Sequence, residues 1–230
     1  MATTDDAGPA VHDDAEPVVH TIVTATEADG PPLAALLAER FAQDPVLSRV
    51  LAGRRNPQAR LRAYFACEIA PSLACGRVWT TPGRRGVLVV RPPHLSRGYR
   101  IRRAVRYIRL FGFRVRLLTR TARQIAQHKP AEPYGHVYLL ATARGNRDRT
   151  LSRRLLRTGA EECDRQGVPS FLVTAHGPLR AYLCTIGYQE AAPIELLPGV
   201  TVTPMKRDAC GPAHRDGDGR AGAVTGVRGR

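Results

Sequence analysis

His136-Val-Tyr-Leu-Leu-Ala-Thr142 and Ser170-Phe-Leu-Val-Thr174 are short apolar runs that read as two buried strands, and what lies between them decides the fold. Residues 144–150 are a polar, Arg-rich connection. Over residues 151–166 the apolar side chains recur at Leu151, Leu155, Leu156, Ala160 and Cys163, the period of a helix that buries one face. Gly167-Val-Pro169 is a helix stop, and residues 178–186 read as a second, shorter helix after the second strand. Two apolar strands joined through one helix form a crossover unit. Such a unit implies a parallel or mixed sheet with a helix on its face.

Working outward, residues 18–26 are rich in β-branched side chains and read as a first strand. Gly30-Pro-Pro32 opens a helix through Ala35, Leu36, Leu37 and Phe41, which Asp44-Pro45 breaks, and a short helix follows over 46–51. Asn56, as N-cap, starts a longer helix with Leu61, Tyr64, Phe65 and Ile69 on one face. Residues 76–81 and 86–90 read as strands joined by Pro82-Gly-Arg-Arg85, a hairpin signal. Residues 95–126 read as helix in two pieces broken near Phe111-Gly-Phe113, with Ile101, Val105 and Ile108 sharing an inward face. Residues 188–195 and 200–205 read as a closing hairpin.

Composition bounds the class. No apolar run approaches the ~20 residues of a membrane helix, and the start of the chain has neither the basic nor the apolar region of a signal peptide. The five cysteines, Cys67, Cys75, Cys163, Cys184 and Cys210, are scattered with no C-x-x-C pair, which favours reduced thiols in the cytoplasm over disulfides or zinc. The formal charge of +15 is uneven: residues 1–30 carry seven acids and no Lys or Arg, and the rest is strongly basic. A basic body attracts anions, whether nucleic acid, phosphates of a cofactor or an acidic substrate. The ten arginines between Arg97 and Arg123 interleave with Tyr99, Tyr107, Phe111 and Phe113. A solvated face ranks ahead of nucleic acid for them; a substrate-cleft wall, which ranks between the two, is implied only by the family resemblance that the crossover stretch carries. Residues 1–17 and 208–230 read as disordered tails around one domain over 18–207.

The crossover stretch resembles the acetyl-CoA-binding half of the GNAT-type N-acetyltransferases, and in particular the puromycin N-acetyltransferase-like antibiotic-modifying enzymes. The resemblance is carried by His128-Lys-Pro-Ala-Glu-Pro133, by Leu139 to Thr142, by Gly167-Val-Pro-Ser-Phe-Leu172 and by Gly187-Tyr188. It extends upstream to Phe41-Ala-Gln-Asp-Pro45, Gly76-Arg-Val-Trp79 and Gly86-Val-Leu-Val-Val90, and covers residues 18–207. It implies a single α/β domain of GNAT type, with a mixed, twisted sheet and helices on both faces. It also implies acyl transfer from acetyl-CoA to the amine of a small, antibiotic-like molecule.

The same resemblance implies which residues hold the cofactor, and where this chain departs. The family binds the pyrophosphate on backbone N–H groups of a Gly-rich loop at a helix N-terminus, where free donors and the helix dipole favour an anion. The matching residues are Arg147-Asp-Arg-Thr-Leu-Ser152, so Thr142, Arg147, Arg149, Thr150, Leu151 and Ser152 are the candidate contacts. Thr150 and Ser152 replace glycines, and the motif is degenerate. Further on, the family's strand Glu is Val173, its CoA-contacting Asn is Leu179, and the Tyr that protonates the leaving thiolate is Leu183. Leucine and valine transfer no proton. Tyr182, about 100° round the helix, is the nearest phenol, with core packing as its alternative role. His136, on the central strand, and His176, at the end of the next, complete the candidate acid/base set. A second reading therefore stands beside the first. It is a GNAT-fold protein without acetyl-CoA chemistry, repurposed in natural-product biosynthesis, for example for a cyclisation, or acting as a binding protein. Whether the chain forms a homodimer is left open.

Overall fold

The computed structural model describes residues 21–92, 95–143 and 149–210. The tail expected over 1–17, the tail expected over 208–230 apart from Asp208 to Cys210, and Arg147 with most of its loop lie outside them. The chain order is β1 (Val23–Thr24), α1 (Gly30–Arg40), α2 (Pro45–Leu51), α3 (Pro57–Ala74), β2 (Val78–Thr80), β3 (Gly86–Arg91), α4 (Arg97–Phe111) and α5 (Val115–Ala126). It continues with β4 (Gly135–Thr142), α6 (Arg149–Arg165), β5 (Ser170–Thr174), α7 (Gly177–Thr185), β6 (Gln189–Glu190), β7 (Ile194–Leu197) and β8 (Val200–Arg207). The strands form one mixed, open sheet in the order β1-β2-β3-β4-β5-β8-β6, with β7 paired to β8. Only β4 and β5 run parallel; every other pairing is antiparallel.

Apolar cores fill both faces of the sheet. On one face, Leu33 and Leu37 of α1 and Phe65 and Ile69 of α3 pack with Val87, Val89 and Leu139. On the other, Leu151, Leu155 and Leu156 of α6 and Leu183 of α7 pack with Leu88, Val90, Val137 and Leu172. These α6 residues are the ones whose spacing predicts the helix, and Gly167 at φ 64 supplies the left-handed residue that ends it. A bulge interrupts the β3–β4 ladder: Val89 pairs with Leu139 and Val90 with Val137, which leaves Tyr138 as the extra residue. Tyr138 and Leu139 therefore both join the core beneath α1 and α3.

Two local expectations fail. Ile101, Val105 and Ile108 do not point inward: Ile101 is 60% and Ile108 58% exposed. The face of α4 that packs on the core carries Tyr107, Leu110 and Phe111 instead, because the larger aromatic surface and the partners it finds on α3 outweigh a short aliphatic line. Ile101 and Ile108 of that line border a groove shared with Val115 and Leu118 of α5. Asn56 does stand at the N-cap of α3, but at φ 52 and with no side-chain hydrogen bond to the helix; Asp44, by contrast, accepts from the Val46 and Leu47 amides at the start of α2.

Candidate functional site

The site originates in a failure of pairing. β4 and β5 share only two rungs, Gly135–Ser170 and His136–Phe171, although β4 continues to Thr142 and β5 to Thr174. β3 holds one edge of β4 from His136 to Thr142 apart from the bulge at Tyr138, and β8 holds β5 along its whole length. The two inner edges past His136 have no strand between them. An extended ligand laid in that gap meets free backbone donors and acceptors. A cleft of about 270 Å³ lies there, lined by Leu140 to Thr142, Ser152, Arg153, His176, Leu179 and Tyr182, with Arg40 and Phe41 closing it from α1. Its charged lining residues are Arg40 and Arg153, and among the described residues no carboxylate lines it.

Four of the candidates meet in this cleft: Thr142, Ser152, His176 and Tyr182. Tyr182 is half-buried; its hydroxyl donates to the Arg153 carbonyl at 3.2 Å, and the Arg153 guanidinium stands 4.9 Å from the ring centroid. Leu183, one residue on, is fully buried in the core beneath α6. The phenol that lines the cleft is therefore Tyr182, and Leu183 does not reach it. His176 is the N-cap of α7, its Nδ1 accepting from the Leu179 amide at 3.2 Å. In the neutral ring the proton then sits on Nε2, which leaves His176 a donor rather than a base.

The other candidates divide differently. Leu151 is wholly buried in the core, so only its backbone remains for a ligand. Thr150 is exposed in the first turn of α6, a helix with no acid in that turn. Arg147 lies outside the described residues, as does the side chain of Arg149.

His136 is not in the cleft. It lines a second cavity, of about 520 Å³, at the opposite end of β4, with Arg91, Arg100, Lys129, Glu132 and Tyr134. The ring is 8% exposed and packs against Tyr134, Tyr138 and Phe171. Burial first, then the charges of Lys129 and Arg91, hold its imidazole well below the ordinary histidine range. It is neutral at pH 7, and its Nδ1 is buried with no hydrogen-bond partner among the described residues.

Beside this cavity lies a group that sequence reasoning missed. Glu68 of α3 is 3% exposed and accepts from Arg91 and from the Tyr107 hydroxyl, with Arg103 Nη1 3.7 Å away. Arg91 stacks on Tyr138, whose hydroxyl lies 3.4 Å from that of Tyr64. Burial and the Glu68 charge push the Tyr138 phenol up to about 12, and Tyr64 and Tyr107 move the same way, so all three stay protonated. A signal was present: Glu68 follows Tyr64 by four residues, which puts a carboxylate on the apolar face of its helix.

No protein-family model matches the sequence, and no curated protein matches it. Solved structures do. A histone acetyltransferase HPA2-related acetyltransferase from Corynebacterium glutamicum superposes with a TM-score of 0.66 at 21% identity, covering 84% of this chain and 98% of that one. A polyamine N-acetyltransferase from Drosophila melanogaster, which forms N-acetylagmatine, gives 0.59 at 15% identity over 82% and 99%. Arylalkylamine N-acetyltransferase 2 from Aedes aegypti gives 0.57 at 12% over 82% and 98%. The α/β architecture built around the open β4–β5 gap is the GNAT acetyltransferase fold.

Proposed function

We propose that the protein transfers an acyl group, most simply acetyl, from an acyl-CoA to the amine of a small molecule. The observation that carries this reading is the gap between β4 and β5, with its two unpaired strand edges and a lining whose charges, Arg40 and Arg153, are all positive. That lining fits a thioester donor with an extended amide-containing arm and a phosphate-bearing end. The strand edges would hold the arm, and Arg153, Ser152 and the N-terminus of α6 would hold the phosphates. The donor supplies an activated carbonyl. Tyr182 is the cleft phenol able to give a proton to a departing thiolate. His136, neutral and penalised for charging, positions the acceptor from the far end of β4 rather than taking its proton. An antibiotic-like metabolite as acceptor, and a cytoplasmic site of action, belong to the same proposal. No nucleic acid or membrane partner is needed.

Calorimetry with acetyl-CoA tests the donor site, and thiol release with a panel of amines tests the reaction. Binding is expected, and Arg153→Glu should weaken it about tenfold or more. No heat at millimolar acetyl-CoA would overturn the reading. It would select the second one, a repurposed fold acting on a biosynthetic intermediate without CoA. The observation that favours this second reading is Leu179, an apolar side chain in the cleft wall where the family resemblance expects an amide.

A further inference from the structure

The cavity at the start of β4 has a charge pattern that acyl transfer to an amine does not require. Arg91, Arg100 and Lys129 line it, against one carboxylate, Glu132. That carboxylate is already taken: Lys206 Nζ lies 3.0 Å from Glu132 Oε1. Arg91 is balanced by Glu68 behind it, but Glu68 also faces Arg103. Lys129 is half-buried, and among the described residues no carboxylate pairs with it; its nearest aromatic face is Tyr134, 6.0 Å from Nζ to the ring centroid. A cation in that position is under-compensated, and burial together with Arg91 and Arg103 draws its ammonium below the ordinary lysine range. The second observation is independent of charge: His136, held neutral by burial, lines the same cavity together with Tyr134, so the wall beside the cations carries neutral hydrogen-bonding side chains.

We infer that this cavity recognises an anionic group, a carboxylate or a phosphate, carried by the acyl-accepting molecule. The inference rests on the acyl-transfer reading and narrows its substrate class. Lys129 and Arg100 supply the charge, and His136 and Tyr134 supply neutral hydrogen-bonding groups. The cavity begins where β4 and β5 are still paired, and the donor cleft begins four to six residues on, at Leu140 to Thr142. An acceptor anchored here by its acid therefore extends along β4 toward the opening. The same cations repel a polycationic acceptor, so the specificity is opposite to that named for the polyamine-acetylating structural neighbour.

The experiment compares matched amines with acetyl-CoA in which amine and acid stand ~13–20 Å apart, the span of four to six strand residues: tetraglycine with tetraglycinamide, 12-aminododecanoate with dodecylamine, and 12-aminododecyl phosphate with 12-aminododecanol. The acid-bearing member of at least one pair is expected to win by about tenfold or more in kcat/KM. Lys129→Gln and Arg100→Gln should each shrink that ratio. The pair that shows the preference tells carboxylate from phosphate. Alongside, ring-nitrogen NMR shifts of His136 are followed while acetate or phosphate is added at constant ionic strength. A saturable shift that disappears in Lys129→Gln supports the anion pocket even where no amine is acetylated, an outcome that would overturn only the acyl-transfer reading. Equal use of both members of every pair, or a preference for the member without the acid, overturns the inference, as does the absence of any His136 response.

Discussion

Arg91 lies over the ring of Tyr138, its guanidinium carbon 3.7 Å from the ring centroid, while the same guanidinium donates to Glu68. Tyr138 is the bulge residue of β4. The ion pair and the bulge therefore support each other: the extra residue in β4 turns an aromatic ring under α3, and Arg91 uses that ring as the floor on which it meets the carboxylate. The arrangement links α3, β3, α4 and β4 at the wall of the cavity that His136 lines.

Removing the carboxylate exposes what it compensates. Glu68→Ala leaves Arg91 and the Tyr107 hydroxyl without an acceptor in a buried setting, and should cost about 3–5 kcal/mol. Glu68→Gln keeps a carbonyl acceptor and should cost less. Urea unfolding of both variants checks this. A loss under about 1 kcal/mol for the alanine variant would mean that the cluster behaves as a surface pair.

The pH dependence of His136 has a definite sign. Its folded-state pKa is depressed, so the unfolded chain binds the proton more readily. The stability that this histidine contributes is complete above about pH 6.5, the unfolded value, and is lost as pH falls from there toward the folded value. The stability difference between wild type and His136→Gln should therefore narrow between pH 7 and pH 5 in thermal melts. By the same shift, the ring should show no titration near neutrality by NMR. A midpoint between pH 6 and 7 would contradict the burial.

Much of the fold is legible in the sequence because the crossover unit states its period twice, in strands of five to eight residues and in Leu151, Leu155 and Leu156. The candidate site is less legible, for two physical reasons. Rotation about a helix axis separates Tyr182 from Leu183 by a face, and the order of residues along the chain does not say which of the two faces the cleft. The faces of α4 compete: Ile101, Val105 and Ile108 have the cleaner period, but Tyr107 and Phe111 have the area and a buried carboxylate to meet. Periodicity counts positions and does not weigh partners. Glu68 was visible only as a polar residue on an apolar stripe, and its significance depends on Arg91 and Tyr107, which are distant in sequence.

Gly135 holds β4 against α6 at the rung where the two parallel strands meet. A Cβ there would stand 2.3 Å from Cys163 Sγ, and Cys163 is itself buried. Gly135→Ala should destabilise by about 1–3 kcal/mol through overpacking, and Cys163→Ala in the same chain should recover part of the loss. Additive losses in the double variant would place the cost elsewhere, since contacting residues are expected to couple.

Tyr182 and Leu183 give the sharpest test of the proposed chemistry. Tyr182→Phe removes one hydroxyl whose hydrogen-bond partner is a backbone carbonyl at a partly exposed site, and the ring still packs beneath Arg153. Stability should change by less than about 1 kcal/mol, and acetyl-CoA affinity should stay within twofold. If the phenol protonates the leaving thiolate, turnover should fall on the order of 10²-fold, and the fall should be smaller with a donor whose thiol is more acidic, because a better leaving group needs less help. Leu183→Tyr makes the converse change. It forces a larger polar side chain into a position that is fully buried beside Leu151 and Leu155. That variant should lose about 1–3 kcal/mol or more and gain no activity. The informative reversal is a stable, more active Leu183→Tyr together with an unimpaired Tyr182→Phe. That pair of results would put position 183 in the cleft and Tyr182 out of it, and the rotation of α7 on which the assignment depends would be wrong.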